Sequence, residues 1–168
     1  SAVNEFTVTN AATSGSPALS VTGGDTNVDM TLTPKGTGRV TINGGGKIQQ
    51  LAEKITIAAT GTTGTVNYDV ITNAAGNFTV NIRGDGSTTL NNILDTNESV
   101  TVAFLVTQGS TPYYNSAVTV DGSSITPEWQ GGSAPTSGNA SSIDVYTYTV
   151  IKTGDAAFTA LASQTQFA

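Results

Sequence analysis

Three acidic residues stand near aromatic residues in the second half of the chain: Asp121, Glu128 and Asp144. The chain has no histidine and no cysteine, which excludes a Ser-His-Asp triad, a Cys-His pair and a zinc site built on those ligands. The catalytic arrangement that remains is a carboxylate pair, in which one acid protonates the leaving oxygen of a glycoside and the other activates water or attacks. Because most acids of this kind are surface charges, we predict a non-enzymatic protein with no catalytic residue. A polysaccharide-degrading enzyme is kept as a remote alternative.

The stretch TLTPKGTGRVTING, residues 31–44, raises the question of a phosphate-binding loop. A Walker loop needs Gly-Lys-Ser/Thr at a fixed spacing from its first glycine. Here Lys35 precedes Gly36, and Lys47 is followed by Ile48 instead of Ser or Thr. A turn between two alternating strands explains the same residues, so we predict no phosphate or cofactor site.

The stretch DTNVD, residues 25–29, has the alternating oxygen ligands with which a calcium loop begins. Such a loop would need glycine where Met30 stands and a bidentate glutamate where Gly36 stands. The sequence therefore predicts a solvated strand edge and no metal site.

Two adjacent tyrosines, Tyr113 and Tyr114, follow a proline in a predicted loop and are our candidates for binding a surface ligand. Trp129 is the only tryptophan. It could join the tyrosines, including Tyr146 and Tyr148, in a platform on which sugars stack. Large aromatic residues contribute most to cores and interfaces, so we predict that Trp129 serves packing or a subunit interface.

Composition limits the partners of this chain. Charged residues make up 11% of it, well below the roughly 25% of ordinary soluble domains. The formal net charge is −6, and the six basic residues are scattered, so no basic stripe is available to neutralise phosphates and nucleic acid is not expected as a partner. No apolar run approaches the roughly 20 residues of a membrane span, so no membrane partner is expected either.

Residues 1–46 contain four short alternating stretches that predict strands: FTVTN, ALSVT, VDMTLT and RVTI. Each places only one or two apolar residues on a face, too few for a core within one chain. Such strands become stable when copies of the chain wrap around a shared axis and supply the missing buried surface. We therefore predict an extended shaft-like or anchoring segment that interlocks with partner chains.

Residues 47–55, KIQQLAEKI, form a short junction and the only predicted helix. Ile48, Leu51 and Ile55 fall on one helical face, and the intervening Gln, Glu and Lys favour helix. Nine residues make a marginal helix alone, so we expect these apolar residues to pack against partner chains. A strand is the alternative for this junction.

From residue 56 to 168 the predicted strands lengthen and carry larger apolar residues. In SVTVAFLVTQ, residues 99–108, both faces are apolar, as in a central strand covered on both sides. In SIDVYTYTVIK, residues 142–152, tyrosine and valine on one face oppose isoleucine and valine on the other. Frequent turn signals predict an antiparallel β-sandwich, jelly-roll-like, with a core of its own.

Two stretches, GGDTNVDMTLTPKGTGRVTING at 23–44 and EWQGGSAPTSGNASSIDVYTYTVIKTGDAAFTALASQTQF at 128–167, resemble structural proteins of tailed bacteriophages, especially those of marine cyanobacterial phages. The first is similar to modules of phage fibre-like proteins, and the second to the β-rich ends of virion proteins. The resemblance implies a non-enzymatic virion component, commonly a homotrimer.

Together these features predict an all-β, homotrimeric virion structural protein without cofactors. Its expected function is that of a fibre or appendage whose β-sandwich contacts the host surface, with the chain itself, other virion proteins and a host cell-surface glycan as partners. The alternative is a capsid decoration (cement) protein, whose first segment would knit neighbouring subunits of the head together.

Overall fold

The computed structural model divides the 168-residue chain into two compact units, Ser1–Gly46 and Lys47–Ala168. The residues that the structure describes are 3–36, 38–42, 44, 46, 64–66, 70–84 and 88–168. The predicted junction helix at 47–55, with its apolar face, lies outside the described residues. Strands dominate the described residues, which confirms the prediction of an all-β chain.

The first unit contains one antiparallel hairpin, formed by β1 (Asn4–Thr9) and β2 (Ala18–Gly23). These strands confirm the predictions made from FTVTN and ALSVT. The stretches at 28–33 and 39–42, VDMTLT and RVTI, are described but form no strand, so those two predictions are wrong. An alternating pattern becomes a strand only beside a hydrogen-bonded neighbour, and the described residues of this unit place none there.

One face of this hairpin carries four neighbouring apolar residues, next to the pair of Asn4 and Gly23 at its end. Phe6 lies opposite Val21, and Val8 lies opposite Leu19. Because side chains alternate between the two faces of a sheet, these four residues share one face. We call them the hairpin apolar face. Phe6, Val8 and Leu19 are all exposed, so the described residues of the first unit do not cover it.

The second unit has nine strands, one short α-helix and one 3-10 helix (Gln130–Gly132) among its described residues. The elements are β3 (Gly64–Val66), β4 (Val70–Ile71), β5 (Phe78–Ile82), α1 (Leu90–Ile93), β6 (Ser99–Thr107), β7 (Asn115–Val120), β8 (Ser123–Ile125), β9 (Glu128–Trp129), β10 (Ile143–Gly154) and β11 (Ala157–Phe167). They form a five-stranded sheet in the order β4-β6-β10-β11-β9 and a four-stranded sheet in the order β3-β5-β7-β8.

Both sheets are mixed, whereas the sequence predicted antiparallel pairing throughout. Strand β10 is antiparallel to β6 and β11, and β7 is antiparallel to β8. Four other pairs are parallel: β3 with β5, β5 with β7, β4 with β6, and β9 with β11. The prediction assumed hairpins between successive strands. Instead, the chain leaves β5 for β6 in the other sheet and returns as β7, and this crossover brings β7 parallel to β5.

The two sheets of the second unit share one buried core. Phe78 on β5 meets Tyr146 on β10 edge-on, with ring centroids 5.7 Å apart, and Phe104 on β6 meets Tyr148 on β10 at 5.8 Å. The remaining core side chains are mostly aliphatic: Ile71, Ala74, Val80, Ile82, Leu90, Leu94, Val106, Val118, Val120, Val150, Ala160 and Ala162. Of the two apolar faces predicted for 142–152, the face with Tyr146, Tyr148 and Val150 is fully buried, whereas Ile143 on the opposite face is exposed.

The two faces of β6 differ, although both are apolar. Phe104 and Val106 are buried in the core. On the opposite face, Ala103 is exposed and Leu105 is half-buried. The prediction that β6 is covered on both sides is therefore wrong within the described residues, and an apolar alternation did not distinguish a covered face from an open one.

Candidate functional site

A groove of about 340 Å³ lies in the second unit, beside β7, β8 and β9. Its walls include Tyr114 and Ser116 at the start of β7, Ser124 and Thr126 at β8, Trp129 on β9, and Pro135 in the following loop. We call it the Tyr114–Trp129 groove. None of its lining residues is charged, and they combine hydroxyl groups with aromatic, proline and aliphatic side chains. Such walls suit a small polar, uncharged ligand.

The two predicted surface tyrosines have different environments. Tyr114 lines the groove and is half-buried. Tyr113 packs against the core. The side chain of Gln108 holds the backbone of Tyr113 from both sides, because it accepts a bond from the Tyr113 N–H at 3.0 Å and donates to its carbonyl at 2.6 Å. These two bonds fix the backbone of Tyr113 and therefore the position of the neighbouring Tyr114.

Trp129 contacts both the core and the groove. Its ring lies 6.1 Å from that of Tyr148 at an interplanar angle of 73°, an edge-to-face contact. Strand β9 aligns it parallel to β11, with Trp129 opposite Ala162. The same half-buried side chain also forms part of the groove wall. The structure therefore places this residue in packing and in the candidate site together.

A β-bulge shapes the groove next to Tyr114. Phe78 pairs with Asn115, but Thr79 pairs with Ala117, so Ser116 is the extra residue. The amide group of Asn115 donates to the carbonyls of Phe78 at 3.1 Å and Ala117 at 2.7 Å. These bonds satisfy backbone groups at the disrupted ladder, so they hold the bulge and with it Ser116 in the groove wall.

A buried polar cluster anchors the loop that carries Pro135. Asp144 is fully buried, and its Oδ2 accepts bonds from Gln108 Nε2 at 2.7 Å and from the backbone N–H of Asn139 at 3.0 Å. Gly138 passes so close that a Cβ there would lie 2.5 Å from Gln108 Nε2 and 2.8 Å from Asp144 Oδ2. Only glycine allows this approach, which explains why the loop is bound tightly to the core.

Burial controls the ionisation of the two core tyrosines. Burial raises the pKa of Tyr148 above its ordinary value, and the neighbouring Tyr146 raises it further. Burial likewise raises the pKa of Tyr146, a backbone hydrogen bond from Asn115 opposes this, and the charge of Asp144 adds to it. Both hydroxyls are therefore neutral at ordinary pH. Tyr148 donates to Asn115 Oδ1 at 3.0 Å, which links the core to the bulge.

The three acids considered for catalysis do not form one site. Asp121 accepts the N–H groups of Leu90 at 2.8 Å and Asn91 at 2.9 Å, so it caps the first turn of α1 from another loop. Asp144 belongs to the buried cluster, and Glu128 is exposed on β9. Among the described residues, no group of three or more acids could hold a metal ion. No helix in the described part of the chain is long and apolar enough to cross a bilayer.

The sequence pointed to Tyr114 and Trp129 and allowed a platform that joins them, but packing was the favoured role for Trp129. Sequence reasoning missed Ser116, Ser124 and Thr126, because hydroxyl residues are abundant in this chain and give no local signal. The Pro before the tyrosine pair was the only sequence feature that pointed to this side of the domain.

Comparisons with protein-family models, with curated proteins and with solved structures found no match to this chain.

Proposed function

We propose that this chain is a structural protein of a tailed-phage virion, a homotrimeric fibre or appendage component whose second unit contacts the host surface. The observation that carries the proposal is the exposed apolar surface of the first unit. Phe6 is 60% exposed, Val8 74% and Leu19 54%. None of the described residues in Ser1–Gly46 is buried. A unit without a core of its own needs surface from elsewhere to become stable.

Copies of the same chain are the partner that best fits the hairpin apolar face. The face is free of charge, and its two strands are too few to be stable alone. Three such faces directed toward a common axis would bury each other and form a closed apolar core. Each copy carries a net charge of −6, and association through an uncharged face puts no like charges into direct contact. The resemblance to phage fibre proteins supports a trimer over other numbers of copies.

The second unit supplies the part of the proposed appendage that faces outward. We propose that its two sheets form a β-sandwich, which the shared core and the aromatic contacts between β5 and β10 support. The jelly-roll arrangement stays a prediction. A sandwich with its own core can be presented at the end of an assembly without depending on the assembly for its fold. The Tyr114–Trp129 groove is its candidate contact site.

Capsid decoration is the second candidate function, and one observation favours it. After the hairpin, four further apolar residues are exposed on described segments that form no strand: Met30, Leu32, Val40 and Ile42. An extended arm of this kind could lie across neighbouring subunits of a phage head. It would add stability to the head through buried apolar area.

Phage particles that lack this protein distinguish the two functions. A fibre or appendage predicts that adsorption to host cells falls while the heads keep their resistance to heat and low salt. Decoration predicts the reverse. Immunogold electron microscopy of intact particles gives an independent answer, since label at the tail supports the fibre and label spread over the head supports decoration. Particles that carry no label would refute both.

A further inference from the structure

The Tyr114–Trp129 groove is a concave feature of the second unit that the fold itself does not require. Its volume of about 340 Å³ lies at the lower end of the roughly 300 to 1,000 Å³ of small-molecule sites. From its geometry and chemistry we propose that the groove binds a neutral saccharide, one or two sugar units at a time. This inference rests on the proposed host-contacting role of the second unit and names the ligand class of that contact.

The aromatic residues supply the apolar part of the site. Tyr114 and Trp129 lie in the groove wall as half-buried side chains. Sugar rings have apolar C–H faces and polar edges, and amphipathic aromatic side chains match them at low cost in conformational entropy. The edge-to-face contact with Tyr148 holds Trp129 in one orientation, so little ordering is required when a ligand binds.

The hydroxyl residues supply the polar part. Ser124 and Thr126 are exposed at the groove. Within the described residues, neither side chain makes a hydrogen bond, so both can donate to and accept from sugar hydroxyls. Ser116 donates to the Phe78 carbonyl at 3.3 Å, which leaves the oxygen of Ser116 available as an acceptor.

Charge excludes acidic saccharides from this groove. The walls offer no cation to pair with a carboxylate or sulfate. An anion placed there would be partly desolvated without a partner, and the chain as a whole carries −6. The groove should therefore prefer neutral sugars over anionic sugars of the same length.

The single tryptophan makes this proposal directly measurable, because Trp129 lies in the groove wall and a ligand bound there should change its fluorescence. The purified full chain is titrated with three neutral probes, cellohexaose, laminarihexaose and mannohexaose, and with anionic hexagalacturonate. We expect a saturable change of Trp129 emission with at least one neutral probe and a much weaker response to hexagalacturonate. No response to any neutral probe, or equal binding of the anionic one, would overturn the proposal.

Two variants and a control locate the binding. Tyr114→Ala should weaken binding of the responding neutral probe about tenfold or more through loss of the stacking surface. Thr126→Val keeps the shape and removes one hydroxyl, so it should weaken binding roughly three- to tenfold. Thr153→Val, which changes another exposed threonine, on β10 outside the groove, is the matched control and should bind as wild type does. If Thr153→Val weakens binding as much as Thr126→Val, the groove is not the site.

The mass of the assembly separates this proposal from the proposed function. A chain that assembles but binds no neutral probe overturns the saccharide site alone. A chain that binds the probe but stays monomeric overturns the trimeric appendage and leaves the groove as a binding site.

Discussion

Replacing Gly138 with alanine tests whether the buried polar cluster holds the loop against the core. The new methyl group would stand 2.3 Å from the carbonyl oxygen of Tyr113, 2.5 Å from Gln108 Nε2 and 2.8 Å from Asp144 Oδ2. The first contact is with backbone, which cannot move aside as the end of a side chain can. Overpacking of this kind costs about 1 to 3 kcal/mol. Displacing a hydrogen bond of the buried carboxylate adds about 1 kcal/mol or more. We therefore expect Gly138→Ala to lower the free energy of unfolding by about 2 to 4 kcal/mol.

Gly109→Ala is the matched control for this change. A methyl group at Gly109 would meet nothing within 4 Å, and its backbone conformation is not left-handed. Gly109→Ala should leave the free energy of unfolding unchanged or raise it by about 0.4 to 1 kcal/mol, because alanine restricts the unfolded chain.

Urea unfolding followed by Trp129 fluorescence measures both variants. With a slope of about 2 kcal/mol per molar urea, Gly138→Ala should lower the midpoint by about 1 to 2 M. Equal midpoints for Gly138→Ala, Gly109→Ala and wild type would refute the tight approach of the loop and its role in holding Pro135 at the groove.

Three further predictions test other parts of the account. Because burial raises the pKa of Tyr146 and Tyr148, the folded state keeps protons that the unfolded chain releases above about pH 10. The free energy of unfolding should therefore keep its full value below that pH and fall above it by about 1.4 kcal/mol per pH unit for each tyrosine. Equal urea midpoints at pH 9 and pH 11 would contradict this. Asp121→Asn keeps one acceptor for the two N–H groups at the start of α1 and should cost about 1 kcal/mol in urea unfolding, whereas no loss would remove its capping role. Full burial of a large apolar side chain contributes about 1.5 to 3 kcal/mol. Phe6→Ser removes most of that side chain and should weaken self-association by about 1 to 2 kcal/mol per copy. Sedimentation at several concentrations measures this against Thr9→Ser, and an equal effect of both variants would exclude the hairpin apolar face as the contact.

The sequence predicted the elements whose pattern is complete within a single strand. Residues 146–151 alternate Tyr, Tyr and Val with Thr, Thr and Ile over three pairs, and this stretch is a strand as predicted. FTVTN and ALSVT formed strands because each is the pairing partner of the other. VDMTLT has the same pattern, but no described neighbour pairs with it. Local alternation indicates that a segment can be a strand, and pairing decides whether it is one.

The candidate site depends on residues that are far apart in the chain, and this limited what sequence could show. Tyr114 and Trp129 meet in one groove because β7 and β9 belong to different sheets of one unit. The sequence of neither strand indicates that β7 lies parallel to β5. The cluster of Gln108 and Asp144 also spans 36 residues, and neither residue alone indicates a buried role.

The mass of the purified full chain in solution shows whether other copies of the chain complete the first unit. The hairpin apolar face is exposed and none of the described residues of this unit is buried, so we expect other copies to cover it. Multi-angle light scattering at micromolar concentration should therefore give three times the 17.0 kDa of one chain. A mass of 17.0 kDa, constant as the concentration rises, would contradict it.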